Sequence, residues 1–384
     1  MFNIIAIVFF WLPLGLLTYH WFGFPLILWL LVKIYRSKTP QGEGYQLPKV
    51  TVAIAAWNEE LTIEAKLHNC LSLEYPKEKM EILVGTDAVT DRTNEIVLRF
   101  AENDSRIHLI TVSERIGKSA VINLLAKEAS GDVILFTDAD VLLEPNTLMA
   151  GVKHFYDPKV GLVLPAYKRV NKEGVAPEGL WDKYENKIKE MEGKLGVAVG
   201  VYGWAMFMRR SAFYPLPPDT INDDYVLGIF AFRRGYRSVY EPNSISWTKI
   251  EPPEIEFKRK MRISRGNAQQ FFRYSDILLP KYGLVAFVFF SHKYLRWLGP
   301  FFLLSMFAAS GINARTPFFL WMFVLQLIIY STTPLLLWMR GFWRKFLFPQ
   351  YFIWTNLALL AGYWQFLFGK RLKYNWLRTE RRID

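Results

Sequence analysis

The sequence predicts an α/β fold with a mostly parallel sheet, flanked by α-helical membrane segments. Strand-like and helix-like segments alternate between residues 50 and 138, as in successive βαβ units. Residues 1–32 contain no Lys, Arg, Asp or Glu and are long enough to cross a bilayer. Further apolar segments begin near residue 283. The 384-residue chain therefore carries a polar α/β domain between two apolar regions.

The predicted α/β domain contains four strands, and a helix follows each of the first three. The predicted strands are Val50–Ala56, Glu81–Asp87, Ile107–Val112 and Val133–Asp138. The predicted helices are Leu61–Leu73, Thr93–Asn103 and Ser119–Ser130. Right-handed crossovers would bring the carboxyl ends of the parallel strands to one edge, where open α/β sheets bind ligands.

The fourth predicted strand ends in two carboxylates, Asp138 and Asp140. Burying both of them unpaired would be costly, so we expect them just beyond the strand. Two carboxylates this close repel each other unless a cation lies beside them. Mg²⁺ or Mn²⁺ suits this position, because hard cations take oxygen ligands and also bind phosphate oxygens. A lone Asp-x-Asp is usually an acidic turn before a helix, but the preceding buried strand favours a ligand site.

Polar side chains also follow the other three predicted strands. They are Asn58, Glu59 and Glu60, then Asp87 and Asp91, then Arg115 and Lys118. Taken singly, Asn58 and Asp91 are typical helix N-caps. Residues 117–119 resemble the end of a phosphate loop, but a Walker A motif requires glycine where this chain has Val112. The sequence therefore argues against a P-loop ATPase, and the four strand ends together favour a ligand site.

Four ordered motifs, at residues 54–60, 87–93, 115–123 and 138–140, resemble the nucleotide-sugar half of a family 2 glycosyltransferase. The family has the GT-A fold, a Rossmann-like arrangement with a mostly parallel sheet. It usually has Pro-Ala-Tyr-Asn-Glu-Glu where this chain has Ala-Ala-Trp-Asn-Glu-Glu, and Asp-Gly-Ser-x-Asp where this chain has Asp-Ala-Val-Thr-Asp. Both departures leave the acidic residues in place.

The resemblance implies a role for each of these polar residues. Glu59 and Asp87 would hold the uridine, and Lys118 would face the diphosphate or the donor sugar. Asp138 would contact the nucleotide, and Asp140 would bind the metal, Mg²⁺ or Mn²⁺.

The second half of the chain continues the resemblance. Residues 220–225, Thr-Ile-Asn-Asp-Asp-Tyr, resemble the Thr-Glu-Asp or Gly-Asp-Asp motif whose last Asp is the catalytic base, which implies that Asp224 is this base. Asp223 would lie on the acceptor side, or would cap a helix over 225–232. Gly203 and Trp204 belong to a glycine-aromatic segment like those that line the acceptor site. The alternative for them is a glycine bend in a strand.

Residues 258–267 predict a basic amphipathic helix on a membrane surface. The same segment resembles the Gln/Arg-x-x-Arg-Trp motif of membrane-bound polysaccharide synthases. This implies that Arg262 and Arg265 bind the nucleotide sugar and neutralise the leaving diphosphate. The Trp of the family is replaced here by Gly266, which weakens the case for acceptor stacking and for processive synthesis.

Basic residues border the apolar segments, and the positive-inside rule then places the α/β domain in the cytosol of a multi-pass plasma-membrane protein. The expected parts are an N-terminal transmembrane segment (1–36), the GT-A catalytic domain (37–250), amphipathic interfacial helices (251–296), C-terminal transmembrane helices (297–369) and a basic tail (370–384). Spans are expected at about 297–314, 317–339 and 346–368. The basic tail favours an inside location, whereas three spans would place it outside, and the sequence leaves both open.

The net charge of +12 does not indicate nucleic-acid binding, because it borders the apolar segments and no zinc-finger or RNA-binding motif accompanies it. A single cysteine, Cys70, excludes an internal disulfide. We therefore expect a membrane-embedded inverting glycosyltransferase that uses a UDP-sugar and forms a β-linked polysaccharide, with export of the polymer. It would resemble hyaluronan, cellulose or poly-N-acetylglucosamine synthases. The alternatives are transfer of one sugar to a lipid acceptor and a non-catalytic nucleotide-sugar-binding subunit.

Overall fold

The computed structural model describes residues 4–35, 46–171, 174–175, 179–199, 205–249, 253–338 and 348–369. These residues separate into two compact units. The first, called here the sheet unit, is drawn from residues 28–251 and 276–288. The second, the helical unit, is drawn from residues 1–27, 252–275 and 289–371. The domain boundaries expected from the sequence stay predictions.

Nine strands form one sheet in the described part of the sheet unit. They are β1 Val50–Ala56, β2 Met80–Asp87, β3 Ile107–Val112, β4 Val133–Asp138, β5 Leu142–Leu143, β6 Val160–Asn171, β7 Gly174–Val175, β8 Ala205–Arg209 and β9 Arg237–Lys249. Their order is β3-β2-β1-β4-β8-β6-β9-β5, with β7 paired to β6. The first four strands are parallel, β8 runs antiparallel between β4 and β6, and β6 and β9 are again parallel.

The helices of the described residues are α1 Ile4–Thr18, α2 Phe24–Ile34, α3 Ile63–Leu71, α4 Thr93–Asn103, α5 Lys118–Glu128, α6 Thr147–Val152, α7 Leu180–Lys194, α8 Asp223–Arg233, α9 Pro253–Arg273, α10 Leu284–Val288, α11 Leu295–Trp297, α12 Gly299–Ile312, α13 Pro317–Trp338 and α14 Phe348–Phe368. Every residue of β1 is buried, as expected for a central parallel strand that is covered on both faces. Helices α3, α4 and α5 connect the first four strands in the predicted βαβ pattern.

The predicted α/β class is confirmed, and β1, β3, β4 and α4 have the predicted bounds. Helix α3 is shorter than the predicted 61–73, because Thr62 and Ser72 flank it as caps. Helix α5 begins one residue early and ends at Glu128, where Ala129 turns into an extended conformation. The antiparallel strand β8 beside β4 was not specified by the sequence analysis.

In the helical unit, α1 packs on α12 and α9 packs on α14. The helix Ile7–Ile34 is long and apolar enough to cross a membrane. The segments Leu284–Trp297 and Gly299–Ile312 meet this criterion together but are bent by 56°. Pro317–Thr333 and Phe352–Phe368 are shorter apolar helices. Within the described residues the chain thus has one candidate span, or two if the bent pair is a single span, and the multi-pass arrangement stays a prediction.

Candidate functional site

Polar residues gather at the carboxyl ends of β1, β2 and β4 in the sheet unit. These strands are neighbours, and Ala55 pairs with Asp138 while Ala56 pairs with Thr86. The three strands therefore end at nearly the same level. The loops that follow them start at one edge of the sheet, where the sequence analysis expected a ligand site.

Asp87, the last residue of β2, is fully buried. Its carboxylate accepts hydrogen bonds from the Arg115 Nε (2.8 Å), the Ile116 backbone N–H (2.6 Å) and the Gly117 backbone N–H (3.1 Å). Gly117 has a positive φ of 88°, which glycine adopts without strain. Asp87 therefore fixes the turn that leads into α5 and Lys118. The direct contact with uridine implied for Asp87 stays a prediction.

Trp57 and Glu59 follow the end of β1 and contact neighbouring loops. The guanidinium carbon of Arg115 lies 3.5 Å from the ring centroid of Trp57, a cation–π contact. Glu59 is partly buried, its carboxylate accepts a hydrogen bond from the Thr62 hydroxyl (2.7 Å), and its N–H donates to the Thr93 hydroxyl (2.8 Å). Glu59 and Asp87, the predicted nucleotide-binding residues after β1 and β2, are thus both held by hydrogen bonds.

Lys118 links two of the predicted motifs. Its ammonium lies 2.9 Å from Asp138 Oδ1 and 3.5 Å from Asp223 Oδ2. Asp138 ends β4, whereas Asp223 begins α8, so one cation joins the Asp-x-Asp turn to the segment that carries Asp224. All three side chains of this cluster keep some exposed surface.

Asp224, the second residue of α8, retains some accessible surface, but protein atoms surround most of it. Burial raises the pKa of Asp224 to about 7, and the Asp223 carboxylate raises it as well, whereas the Tyr225 N–H and the Lys118 ammonium lower it. The Tyr225 N–H donates to Asp224 Oδ1 at 2.8 Å. A carboxylate with a pKa near neutral pH is suited to accept a proton as a general base.

The predicted helix-capping role of Asp223 is not what the structure shows. Asn222 is the N-cap of α8, without a side-chain cap hydrogen bond, and the Asp223 carboxylate faces Lys118. The physical reason is electrostatic, since pairing with a lysine stabilises a carboxylate that would otherwise repel Asp138 and Asp224.

Asp140 lies in the turn after β4 and is partly exposed. Among the described residues there is no group of three or more His, Cys, Asp or Glu that could hold a metal ion. Two carboxylates spaced Asp-x-Asp nevertheless fit a Mg²⁺ or Mn²⁺ site, because such ions often take one or two carboxylates and complete their shell with phosphate and water. The donor chemistry is thus compatible with a cation that arrives with a diphosphate.

Two of the predicted residues belong to the helical unit. Arg262 and Arg265 are on α9, in the helical unit, and both are partly buried. Their assignment to the nucleotide sugar stays a prediction. Gly203 and Trp204 lie outside the described residues.

Two polar residues on α5, which the sequence did not single out as site residues, hold the segment that precedes α8. Ser119 Oγ donates to the Thr220 carbonyl (3.1 Å), and the Asn123 amide exchanges two hydrogen bonds with the Leu216 backbone (2.8 and 2.9 Å). Ser119 and Asn123 are four residues apart and share one face of α5. Polar residues at this spacing on a largely buried helix were the signal in the sequence that could have identified them.

Two family models match the chain. The model described as "Glycosyl transferase family 2" matches residues 51–214, and "Glycosyl transferase family group 2" matches residues 133–369. The poly-beta-1,6-N-acetyl-D-glucosamine synthase of Staphylococcus aureus (strain COL) is 27% identical over 270 residues, which cover 65% of this chain and 64% of the relative. The probable glycosyltransferase YdaM of Bacillus subtilis (strain 168) is 30% identical over 242 residues, covering 58% and 56%. The chain thus spans less than two thirds of the length of these relatives.

A solved structure resembles nearly the whole chain. The structure described as mannosyltransferase PcManGT from Pyrobaculum calidifontis in complex with GDP-Man and Mn2+ matches with a TM-score of 0.70 and 24% identity. The match covers 93% of this chain and 98% of the other. The likeness confirms the predicted GT-A fold.

Proposed function

The chain belongs to glycosyl transferase family 2, and from this premise we propose that it is a glycosyltransferase that uses a nucleotide-sugar donor and transfers a sugar from UDP to a polysaccharide with inversion. The observation that best supports this proposal is the cluster of Asp138, Lys118, Asp223 and Asp224 beside the strand ends. In this cluster the Lys118 ammonium can bind a diphosphate, and the Asp224 carboxylate can accept a proton.

Asp224 acts as the general base in this proposal. Its ionised carboxylate takes the proton from an acceptor hydroxyl, and the resulting oxygen attacks the anomeric carbon on the face opposite the nucleotide. The bond from the anomeric carbon to the diphosphate oxygen breaks, so an α-linked donor yields a β-glycoside and free UDP. The raised pKa of Asp224, about 7, makes its carboxylate a stronger base than an ordinary aspartate.

Negative charge develops on the diphosphate as the bond breaks, and Lys118 is positioned to stabilise it. Asp138 would contact the nucleotide, and Asp140 would hold Mg²⁺ or Mn²⁺. When bound there, the cation stabilises the negative charge of the departing UDP. Glu59 and Asp87 orient the uridine end of the donor, Asp87 through the turn that it fixes.

A polysaccharide acceptor is supported by the 27% identity to the poly-beta-1,6-N-acetyl-D-glucosamine synthase. Transfer of a single sugar to a lipid acceptor is the second candidate, and the glycine at position 266 favours it. The presence of Asp87, Asp140 and Asp224 argues against the non-catalytic alternative, and turnover by the purified chain would exclude it. We assign the protein to the plasma membrane, with residues 39–282 in the cytosol, on the basis of the apolar helix Ile7–Ile34 and the basic residues beside it.

The test of function uses purified full-length protein and a panel of radiolabelled UDP-sugars, followed by sizing of the product. Long β-linked chains from one donor are the expected result, and a lipid carrying one sugar would favour the second candidate. Asp224→Asn should lower the transfer rate by about 10²–10⁴-fold while UDP affinity stays nearly the same. Asp223→Asn is the matched neighbour and should be milder. Normal turnover of Asp224→Asn would show that the base lies on another residue.

A further test concerns the membrane. A cysteine introduced between residues 340 and 345 should be protected from an impermeant thiol reagent applied outside intact cells. The native Cys70 is buried and should contribute little background. Labelling from outside would overturn the proposed orientation, and a cysteine at position 384 would determine the side of the tail.

A further inference from the structure

Lys66 is a fully buried lysine on α3, outside the residues assigned above. Its ammonium donates to Thr137 Oγ1 at 2.9 Å and to the Val141 carbonyl at 2.5 Å. These two acceptors flank the turn of residues 138–140. Lys66 therefore contacts both ends of the turn that carries Asp138 and Asp140.

Asn69 lies three residues further along the same helix and contacts the same segment. Its amide nitrogen donates to the Leu143 carbonyl (2.8 Å), and its amide oxygen accepts from the Leu143 N–H (2.8 Å). Residues three apart lie on one helix face. Lys66 and Asn69, called here the α3 clamp, thus hold the segment 137–143 at three points.

The charge of Lys66 also requires an explanation, because burying an ammonium is costly unless opposite charge lies nearby. Its hydrogen-bond acceptors, a hydroxyl and a carbonyl, are neutral. Burial lowers the pKa of Lys66, whereas Cys70, Asp140 and Asp138 raise it. Burial also raises the pKa of the Cys70 thiol, so this thiol is neutral near pH 7. The pKa of Lys66 is lowered overall, and the two carboxylates of the turn are the charged groups that favour its ammonium form.

The simpler explanation is that Lys66 only stabilises the core. That explanation does not account for the positions of the hydrogen bonds made by Lys66 and Asn69. The clamp contacts fall on both sides of Asp138 and Asp140. The same two carboxylates are the charged groups that favour the ammonium form of Lys66. Two carboxylates that repel each other would otherwise widen the turn, and a site for a cation and a diphosphate must hold its ligands within about 0.5 Å.

We propose that Lys66 and Asn69 are positioning residues that hold the turn of Asp138 and Asp140 in the shape that binds a nucleoside diphosphate together with a divalent cation. The clamp acts through the turn and does not touch the donor. This inference rests on the proposed metal role of Asp140. Partners that orient metal ligands in this way typically change metal affinity or activity by 10–100-fold when they are removed.

The experiment compares Lys66→Met, which keeps the length of the side chain without its charge, with Asn69→Ala in the full-length protein. Calorimetry measures UDP binding with and without Mn²⁺, and thermal unfolding measures stability. We expect Lys66→Met to weaken Mn²⁺-dependent UDP binding by about 10–100-fold, with UDP binding in the absence of metal nearly unchanged. Asn69→Ala should act in the same direction with a smaller effect.

Leu67→Ala is the matched control, because Leu67 is fully buried on the same helix and does not belong to the clamp. It should lower the unfolding temperature without changing the Mn²⁺ dependence of UDP binding. If both clamp variants behave like Leu67→Ala, the inference is wrong. If Lys66→Met does not fold, Asn69→Ala and Thr137→Val decide the question by the same criterion.

Asp140→Ala separates this inference from the function on which it rests. Loss of Mn²⁺-dependent UDP binding in Asp140→Ala, with normal binding in the clamp variants, would overturn the clamp alone. Unchanged Mn²⁺-dependent binding in Asp140→Ala would overturn the metal role of Asp140 and the clamp with it.

Discussion

The Lys118 ammonium lies 2.9 Å from Asp138 Oδ1, which ties the first turn of α5 to the end of β4. The same ammonium lies 3.5 Å from Asp223 Oδ2. Two protein carboxylates therefore hold the Lys118 ammonium at the place where the diphosphate is proposed to bind. This arrangement keeps Lys118 in position and lowers the repulsion among three neighbouring aspartates.

The first prediction concerns the variant Lys118→Met. Loss of the cation should weaken UDP-sugar binding and lower the transfer rate, because a charge-assisted contact with the diphosphate is lost. We expect kcat/KM to fall by at least about tenfold, which corresponds to about 1.4 kcal/mol. Steady-state kinetics with varied donor measures this change. Lys127→Met, on the last turn of the same helix, is the control and should leave kcat/KM unchanged.

The second prediction is a pH dependence that arises from Asp224. The carboxyl accepts a proton only when it is ionised, so the transfer rate should rise as the pH increases through about 7, the pKa of Asp224. Lys118 lowers this pKa, and Lys118→Met should therefore move the acidic limb of the pH–rate profile to higher pH. A profile that is flat between pH 5 and pH 8 would contradict the assignment of Asp224.

The third prediction is that the free energy of unfolding also depends on pH through Asp224. The folded protein holds a proton on Asp224 up to about pH 7, whereas the unfolded chain releases it near pH 4. The folded state binds more protons in this interval, so the stabilising contribution present below pH 4 is lost as the pH rises through 7. Asp224→Asn should therefore become more stable relative to the wild type at pH 8 than at pH 5, as measured by thermal unfolding.

The sequence predicted the first half of the sheet more fully than the second, for a physical reason. Strands β1 and β4 are short, mainly apolar runs, and β3 alternates apolar residues with His108 and Thr111, so local patterning defines all three. The pairing of β6 with β9 shifts register between Pro165 and Ala166, and β8 inserts antiparallel beside β4. Such pairings depend on contacts between distant segments, which no local pattern specifies.

The same distinction applies to the site. Asp138, Asp140 and Asp224 could be proposed as site residues because they belong to short motifs at the ends of elements. Lys66 was missed, because it stands among Glu64 and His68 on a helix of mixed polarity and resembles an exposed lysine. Only the packing of α3 against the segment 137–143 buries it.

The fourth prediction concerns Asp87→Asn. An amide group accepts through one atom only, so at least one of the three donors that face Asp87 would meet an N–H group. Losing a charged acceptor for a buried donor costs roughly 1.5–3 kcal/mol, and the turn before Lys118 should loosen. We expect a lower unfolding temperature together with a higher KM for the donor. Asp104→Asn, in the separate Asp104–Arg106 pair, should leave KM unchanged.

The last prediction concerns the helical unit, where α14 approaches α9 closely at Gly362. A Cβ atom at this position would lie 2.7 Å from the Arg265 backbone nitrogen and 2.7 Å from the Met261 carbonyl oxygen, and it would also meet the Ser264 side chain. Ser264 Oγ donates to the Leu359 carbonyl at 2.7 Å, which fastens the two helices at the same level. Because backbone atoms cannot move aside easily, Gly362→Ala should destabilise this unit by about 1–3 kcal/mol.

Gly15, on α1 of the same unit, provides the matched control for Gly362→Ala. Apart from its chain neighbours and the backbone of its own helix, no heavy atom of the described residues lies within 4 Å of a Cβ atom built at Gly15, and alanine favours a helix over glycine by about 1 kcal/mol. Gly15→Ala should therefore be neutral or slightly stabilising. Thermal unfolding of the detergent-purified variants compares the two substitutions directly. Equal unfolding temperatures for Gly362→Ala and Gly15→Ala would mean that α9 and α14 do not pack at the distance described, whereas a loss confined to Gly362→Ala is the expected result.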